Sequence, residues 1–171
     1  MKVLLDQTIG TDYGHFSLEW GENFWDGDAD RAFAGQLNGW VAAAIPGLIH
    51  VVLARRSGGS SVRIESFEDE PAADTSWEDC VEVSLEVPSG ATVGWSTWAG
   101  EDDGALDISS GSYRLRVSAR GRDAGQAGEF DENIVDFYLL QLWPSPVRPD
   151  AILRVGSADA AYWHDAWGSR R

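Results

Sequence analysis

Apolar and polar side chains alternate with a period of two along several stretches of this chain. In residues 80–87 the valines and Leu85 share one face and the glutamates share the other. Residues 113–120 repeat the pattern with arginines on the polar face, and residues 16–20 alternate in the same way. This alternation is typical of a β-strand that is buried on one face and solvated on the other. The sequence therefore predicts half-buried strands in these three places.

Other short segments also have the composition of strands. Residues 48–54 and 135–143 are more continuously apolar, which is typical of central strands covered on both faces. Residues 2–9 can form an edge strand. Turn signals rich in Gly, Pro, Asn and Ser separate these segments. Shorter strands are expected over residues 62–65, 92–98 and 106–108.

Many short strands, frequent turns and the lack of a long helical pattern predict an all-β fold, an antiparallel two-sheet β-sandwich. A short C-terminal helix is expected over residues 158–164, because Ser157 can cap it and Asp159 suits its N-terminus. Residues 144–171 are thus predicted to be a Pro-rich connection followed by this helical tail. With 171 residues and neither a repeat nor a long linker, residues 1–171 are expected to form a single domain.

The cysteine content and the apolar segments favour a cytoplasmic location. Cys80 is the single cysteine, so neither an intrachain disulfide nor a thiolate metal cluster can form. Asp6 interrupts the apolar start of the chain, unlike the core of a signal peptide. The most apolar stretch, residues 40–54, is cut by Pro46 and Gly47 and is too short to span a bilayer. We therefore expect no membrane association.

The chain is strongly acidic, with 28 Asp and Glu against 13 Lys and Arg and a formal net charge of −15. This charge argues against direct binding to nucleic acid or to an anionic membrane, because like charges repel. Loops at one end of a sandwich converge, so some acidic segments are expected to merge into one negative surface that captures a basic protein. The alternative is that the acids serve solubility alone. Twenty of the acids lie in four segments without Lys or Arg, residues 19–30, 65–79, 101–107 and 129–136.

Nine acids in three predicted loops are the candidate contacts for a basic partner. They are Asp26, Asp28, Asp30, Glu68, Asp69, Glu70, Glu101, Asp102 and Asp103.

The first three of these acids alternate as in a calcium loop. However, Arg31 and Leu37 stand where an EF-hand requires Gly and Glu. We therefore expect a solvated acidic turn and neither a metal nor another cofactor, with an irregular calcium site as the alternative.

A run of arginines is a second candidate site. Alternate arginines on a strand lie about 7 Å apart, and their guanidinium groups can grip a phosphate or a carboxylate. The alternative, which we favour, is cross-strand pairing with Glu82 and Glu86. The candidate anion-binding stripe consists of Arg114, Arg116, Arg120 and Arg122.

Nine tryptophans are an unusual number for a chain of this length. An exposed indole can stack on a sugar ring, whereas packing in the core and at its rim is the more ordinary use of Trp. Trp95 and Trp98 have opposite parity in one predicted strand, so at most one of them faces inward without a bulge.

The histidines do not indicate a catalytic or metal site. His15, His50 and His164 are far apart in sequence and lack metal-ligand spacing, and we expect His50 to be a hydrogen-bonded interior residue. The sequence contains no nucleophile elbow, phosphate loop, dinucleotide fingerprint or zinc-protease motif. We therefore expect a protein that is not an enzyme.

Two stretches resemble a known family. Residues 12–18, Asp-Tyr-Gly-His-Phe-Ser-Leu, and residues 106–115, which contain Gly-Ser-Tyr, resemble the DNA-entry nuclease inhibitor family of the competence protein J type. The order of an early aromatic strand, central strands, a Gly-x-Tyr strand and a late strand at residues 135–139 is also similar. Residues 142–144 and 161–164 are similar to an uncharacterised actinobacterial family. The resemblance implies a small, non-catalytic protein that binds and blocks a nuclease.

Charge and resemblance together predict a non-enzymatic acidic protein-binding domain. It would be an inhibitor or immunity-type protein that engages a basic partner such as a nuclease or a toxin. Its carboxylates would enter a cationic cleft in place of DNA phosphates. The alternative is a glycan-binding β-sandwich module, with or without calcium.

Overall fold

Two β-sheets face each other across one hydrophobic core. A computed structural model describes residues 1–170. A short 3₁₀ turn spans Trp98–Gly100. The elements in chain order are β1 (Lys2–Thr11), β2 (His15–Glu19), α1 (Ala29–Ala32), β3 (Val41–Ala42), β4 (Leu48–Val52), β5 (Gly58–Ser66), β6 (Asp79–Val87), β7 (Val93–Thr97), β8 (Asp103–Leu106), β9 (Gly111–Arg120), α2 (Arg122–Ala127), β10 (Phe137–Pro144), β11 (Ala151–Arg154) and α3 (Ala158–Ala166).

The larger sheet has the strand order β1-β5-β10-β9-β6-β11, and the smaller sheet has the order β3-β4-β2-β7-β8. Within the described residues, neighbouring strands are antiparallel apart from the parallel pair β5 and β10. The all-β, two-sheet sandwich with a short C-terminal helix is therefore confirmed. The parallel pair is an addition to the predicted antiparallel pattern, since β9 and β10 insert between β5 and β6.

The core is built from the alternating faces of the strands. Val81, Val83 and Leu85 of β6 are buried, as are Leu115 and Val117 of the neighbouring β9. Residues of both sheets belong to one continuous apolar cluster. The alternation of apolar and polar residues in the sequence thus identifies the face of each strand that points toward the opposite sheet.

Several strand boundaries differ from the predictions. Strand β10 is central but begins at Phe137, and from Phe137 to Leu142 half-buried residues alternate with buried ones, so this part is not covered equally on both faces. Strand β4 is buried throughout but lies next to the edge strand β3. Strand β5 begins at Gly58, because pairing with β1 extends it beyond the apolar run at residues 62–65. The short elements α1, α2, β3 and β11 were not predicted from the sequence.

The C-terminal helix α3 is held by buried polar contacts. Ser157 accepts a hydrogen bond from the Ala160 backbone N–H at 3.0 Å, as the capping prediction requires. The Ser157 hydroxyl donates to the buried carboxylate of Asp79 at 2.6 Å. At the other end of α3, His164 Nδ1 accepts a hydrogen bond from the Gly39 backbone N–H at 3.1 Å. The helix is therefore attached to both the larger sheet and the loop before β3.

Candidate functional site

A row of polar side chains occupies the outer face of the smaller sheet. His15, Ser17 and Glu19 alternate along β2 with the core residues Phe16 and Leu18, so they point away from the core. Polar residues of the two neighbouring strands lie opposite Ser17 in the sheet. The pairing of β2 with β4 and β7 therefore gathers polar groups from three parts of the chain.

Ser17 joins two histidines in this row. Its Oγ lies 3.2 Å from His15 Nε2 and 3.0 Å from His50 Nδ1. The single hydroxyl proton can be donated to only one of these nitrogens, so the other nitrogen must carry its own proton and donate. Ser17 is completely buried, and a substrate therefore has no access to its hydroxyl. The trio joins β2 to β4, and His50 is the hydrogen-bonded interior residue that the sequence predicts.

Both of these histidines are held in the neutral form. Burial lowers the pKa of His15 from 6.5 to about 4. Burial also lowers the pKa of His50 well below its ordinary value, and the nearby His15 lowers it further. The other ring nitrogen of His15, Nδ1, is buried and has no hydrogen-bond partner among the described residues.

Aromatic side chains cover this polar row and leave a cleft beside it. The indole of Trp25 stacks on the His50 ring, with ring centroids 4.1 Å apart. Next to Trp25 is a cleft of roughly 380 Å³ with Phe24 and Trp98 among its walls. Phe24 is 64% exposed and Trp98 is 41% exposed. We call this feature the aromatic cleft, defined by His15, Glu19, Phe24, Trp25, Ser96 and Trp98.

Acidic loops meet at one end of the sandwich, next to the aromatic cleft. Thr11 at the end of β1 pairs with Gly58 at the start of β5, and β7 ends beside the start of β2. The loops that follow β1 and β7 therefore lie at the same end. Asp12, Glu101 and Asp102 line one shallow groove there together with Gly58.

A third acidic loop reaches this end through two neighbouring arginines. Arg56 lies 3.9 Å from the Glu129 carboxylate and 5.1 Å from the centre of the Tyr13 ring. Tyr13 in turn contacts Trp98, with ring centroids 4.6 Å apart. The buried Arg55 donates to backbone carbonyls on both sides, including that of Asn133 at 3.0 Å. We call this region the acidic end, defined by Asp12, Glu101, Asp102, Asp103 and Glu129.

The three predicted acidic clusters differ in how far they are neutralised. Glu101, Asp102 and Asp103 are exposed, and none of them has an ion pair within residues 1–170. Asp26 and Asp30 each have an arginine partner, at 2.5 and 2.6 Å. The third member of that cluster caps α1 through its side chain.

The remaining cluster lies elsewhere on the molecule. It follows the end of β5 at Ser66, which pairs with Lys2 at the opposite end of β1 from the acidic end. Glu70 contacts Arg116 at 3.2 Å on the outer face of the larger sheet, whereas Glu68 and Asp69 are exposed. The structure thus brings Glu101, Asp102 and Asp103 near other acids but leaves Glu68, Asp69 and Glu70 apart from them.

The arginines of the candidate anion stripe have different surroundings. Arg114 and Arg116 are buried, and both bind Glu82, at 3.0 and 2.9 Å. Backbone carbonyls of the segments near residues 71 and 148 cover them. The guanidinium of Arg120 lies over the rings of Trp77 and Phe137, and Arg122 is completely buried against Asp159. Cross-strand pairing with Glu82 therefore occupies two of the four guanidinium groups.

The aromatic cleft was not predicted from the sequence. The alternation of His15, Ser17 and Glu19 is a local signal for a polar strand face. The opposite parity of Trp95 and Trp98 is another, and Trp95 is buried whereas Trp98 is partly exposed. What the sequence lacks is the position of the segment around Trp25, which returns over β4 through tertiary packing.

In the part of the chain that is described, no three His, Cys, Asp or Glu side chains come together as a cation site requires. No helix within residues 1–170 has both the length and the apolar surface needed to cross a bilayer.

Comparisons with known proteins identify the fold. No family model and no curated protein matches the sequence. Among solved structures, this chain is similar to ComJ from Bacillus subtilis, an inhibitor of the DNA degrading activity of NucA, with a TM-score of 0.56 and 17% identity over 84% of this chain and 98% of that one. A structure named crocagin biosynthetic gene J matches with a TM-score of 0.48 and 15% identity over 85% and 98% of the two chains. The distant resemblance to the nuclease inhibitor family is therefore confirmed as a similarity of fold.

Proposed function

We propose that this chain is a non-enzymatic protein-binding domain, an inhibitor or immunity-type protein whose acidic end engages a basic partner such as a nuclease. The observation that carries the proposal is the run of Glu101, Asp102 and Asp103, exposed carboxylates that no described cation neutralises, beside the exposed rings of Tyr13 and Trp98. The fold shared with ComJ supports an inhibitor role.

Electrostatics explains why such a surface suits this task. Consecutive carboxylates repel one another, and a cationic surface that approaches them relieves this repulsion. Complementary charge steers the encounter and raises the association rate more than it raises the affinity. Exposed Trp and Tyr residues are the types that most often anchor protein interfaces. In the proposed complex, the acidic end lies in the DNA-binding cleft of the nuclease, where its carboxylates replace phosphates.

The two other acidic clusters have a secondary role in the proposal. Asp26, Asp28 and Asp30 lie beyond Trp25 and are largely engaged within the chain. Glu68, Asp69 and Glu70 follow β5 at the opposite end of the sheet from the acidic end and contribute through the overall negative charge.

An inhibition assay tests this function. DNA degradation by NucA, and by nucleases from the source organism of this chain, is followed while the chain is added in increasing ratio. We expect stoichiometric inhibition of at least one basic nuclease. The double variant Glu101→Gln, Asp102→Asn should associate about tenfold more slowly at low salt and show a weaker salt dependence.

A matched variant separates a local site from net charge. Glu68→Gln, Asp69→Asn removes the same number of exposed carboxylates outside the acidic end. At physiological ionic strength it should leave association within about twofold of the unmodified chain, because salt then screens charges separated by more than roughly 8 Å. Equal slowing by both double variants would remove the acidic end from the proposal. If no basic nuclease is inhibited or bound at low salt, the proposed function itself is contradicted.

The aromatic cleft favours a second candidate function, the binding of a glycan. Exposed rings such as those of Trp98 and Phe24 can stack on sugars. If a glycan is the ligand, titration with soluble polysaccharides should change the tryptophan fluorescence, and Trp98→Ala should remove that change. An unchanged spectrum across a broad panel of polysaccharides would count against this candidate.

A further inference from the structure

The aromatic cleft combines flat aromatic walls with a carboxylate and carries no cation of its own. Phe24, Trp25 and Trp98 supply the rings, and Glu19 supplies the carboxylate. No Lys or Arg is among the residues within 1–170 that line the cleft. A cleft with these groups attracts a cation that can also stack on a ring.

The arginines of this chain already bind aromatic rings in this way. Arginine has a planar guanidinium that stacks on a ring while its N–H groups remain free to donate, which a lysine ammonium cannot do. The exposed rings of Phe24 and Trp98 have no such cation within the described part of the chain. Internal examples include Arg56 over Tyr13 at 5.1 Å, Arg116 over Trp143 at 5.0 Å, Arg120 over Phe137 at 4.8 Å and Arg122 over Trp40 at 4.5 Å.

The polar groups of the cleft are suited to accept hydrogen bonds from a guanidinium. This group has five N–H donors and no acceptor. The Glu19 carboxylate already accepts from Ser96 Oγ at 3.0 Å and retains further acceptor capacity. His15 also lines the cleft, and its buried Nδ1 has no hydrogen-bond partner within residues 1–170. The neutral state of His15 is necessary here, because a protonated ring would repel the cation.

We infer that the aromatic cleft binds an arginine side chain of the basic partner, held between Trp98 and Phe24 and paired with Glu19. The inference rests on the proposed function and names the group by which the partner is recognised. The acidic end lies next to the entrance: Asp103 lines an adjoining groove together with Glu19 and Ser96. Negative charge would thus guide a basic surface to the cleft, and the cleft would select arginine at its centre.

A titration with blocked tripeptides tests this inference without the natural partner. The nine indole N–H signals of the full chain are followed by NMR as blocked Gly-Arg-Gly is added, with Gly-Lys-Gly, Gly-Leu-Gly and cellohexaose as comparison ligands. We expect Gly-Arg-Gly to shift the Trp98 signal saturably. Gly-Lys-Gly should bind at least about fivefold more weakly, because its ammonium does not stack as a plane.

Three variants locate the binding site. Trp98→Ala should abolish binding of Gly-Arg-Gly, and Glu19→Gln, which keeps the size of the side chain, should weaken it about tenfold through the loss of the charged acceptor. Tyr162→Ala removes an exposed ring of α3 and should leave binding unchanged. An indole spectrum that cellohexaose shifts and Gly-Arg-Gly does not would overturn the inference in favour of the glycan.

The outcomes for the cleft and for the proposed function can be distinguished. Suppose that the Trp98→Ala variant still inhibits a nuclease fully and that Gly-Arg-Gly does not shift the Trp98 signal of the unmodified chain. The arginine inference is then overturned while the proposed function stands. If Gly-Arg-Gly binds as expected but no nuclease is inhibited, the proposed partner class is wrong while the ligand of the cleft stands.

Discussion

Replacing Arg122 by methionine is expected to lower the free energy of unfolding by about 3–5 kcal/mol, because a buried carboxylate would lose its cation. Arg122 is completely buried, and its Nε and NH2 groups donate to Asp159 at 2.9 and 2.6 Å. Its NH1 group donates to the Val52 carbonyl at 2.9 Å, and its guanidinium lies 4.5 Å from the Trp40 ring centre. The side chain thus ties both sheets to α3, and urea unfolding followed by tryptophan fluorescence measures the loss.

A neighbouring arginine provides the control for this prediction. Arg120 also lies over aromatic rings, but it is exposed and has no ion pair in residues 1–170, so Arg120→Met should cost less than about 1 kcal/mol. The double variant Arg122→Met, Asp159→Leu should be more stable than Arg122→Met alone, because it removes the unpaired carboxylate as well. Similar losses for Arg120→Met and Arg122→Met would contradict the role given to the buried pair.

The four arginines of the candidate anion stripe also show what a local sequence pattern does not predict. Arg114, Arg116, Arg120 and Arg122 look alike in the sequence, and a local pattern assigns the first three to one solvated strand face. In the structure, Glu82 and covering loop segments bury the first two, and Asp159 buries the last. Contacts from residues more than 30 positions away decide this difference, and no local pattern records them.

The strands themselves could be predicted from the sequence because burial of one face imposes a local pattern of residues. The alternation in residues 80–87 and 113–120 predicted β6 and β9 almost to the residue. The elements missed by the sequence reading are short, and α1 has only four residues. Segments of this length lack enough residues to show a period, and their conformation follows from caps and tertiary pairing.

The candidate site could be predicted from the sequence only in part, because contacts between distant residues assemble it. The sequence identified Glu101, Asp102 and Asp103 as a cluster of acids, which composition alone reveals. It did not show that Asp12 and Glu129 join them, because that depends on which strand ends share one end of the sandwich. The expectation that acidic loops converge therefore applies to part of the predicted acids, and the pairing of strands determines which part.

Acid is expected to destabilise the fold strongly between pH 7 and pH 5, before most carboxylates are protonated. Burial lowers the pKa of His15 to about 4 and that of His50 well below 6.5. The unfolded chain therefore binds protons at these histidines as the pH falls below 6.5, whereas the folded chain does not. Stability is fully present above pH 6.5, and it falls by about 1.4 kcal/mol per pH unit for each histidine until the folded pKa is reached.

For His15 and His50 together, the expected loss between pH 7 and pH 5 is about 4 kcal/mol, measured by urea unfolding at fixed ionic strength. His15→Gln keeps a polar side chain beside Ser17 but does not titrate, so it should remove the His15 share of this loss, about 2 kcal/mol, even if it lowers stability at pH 7. Burial also lowers the pKa of His164, which adds to the slope of the variant and of the unmodified chain alike. Asp136 acts in the opposite direction, because burial raises its pKa and the folded chain therefore takes up this proton more readily than the unfolded chain. The comparison of slopes thus isolates the contribution of His15.

An unchanged slope in His15→Gln, or a flat profile in the unmodified chain, would mean that protons reach these rings in the folded state. The neutral His15 that the arginine cleft requires would then be lost at mildly acidic pH.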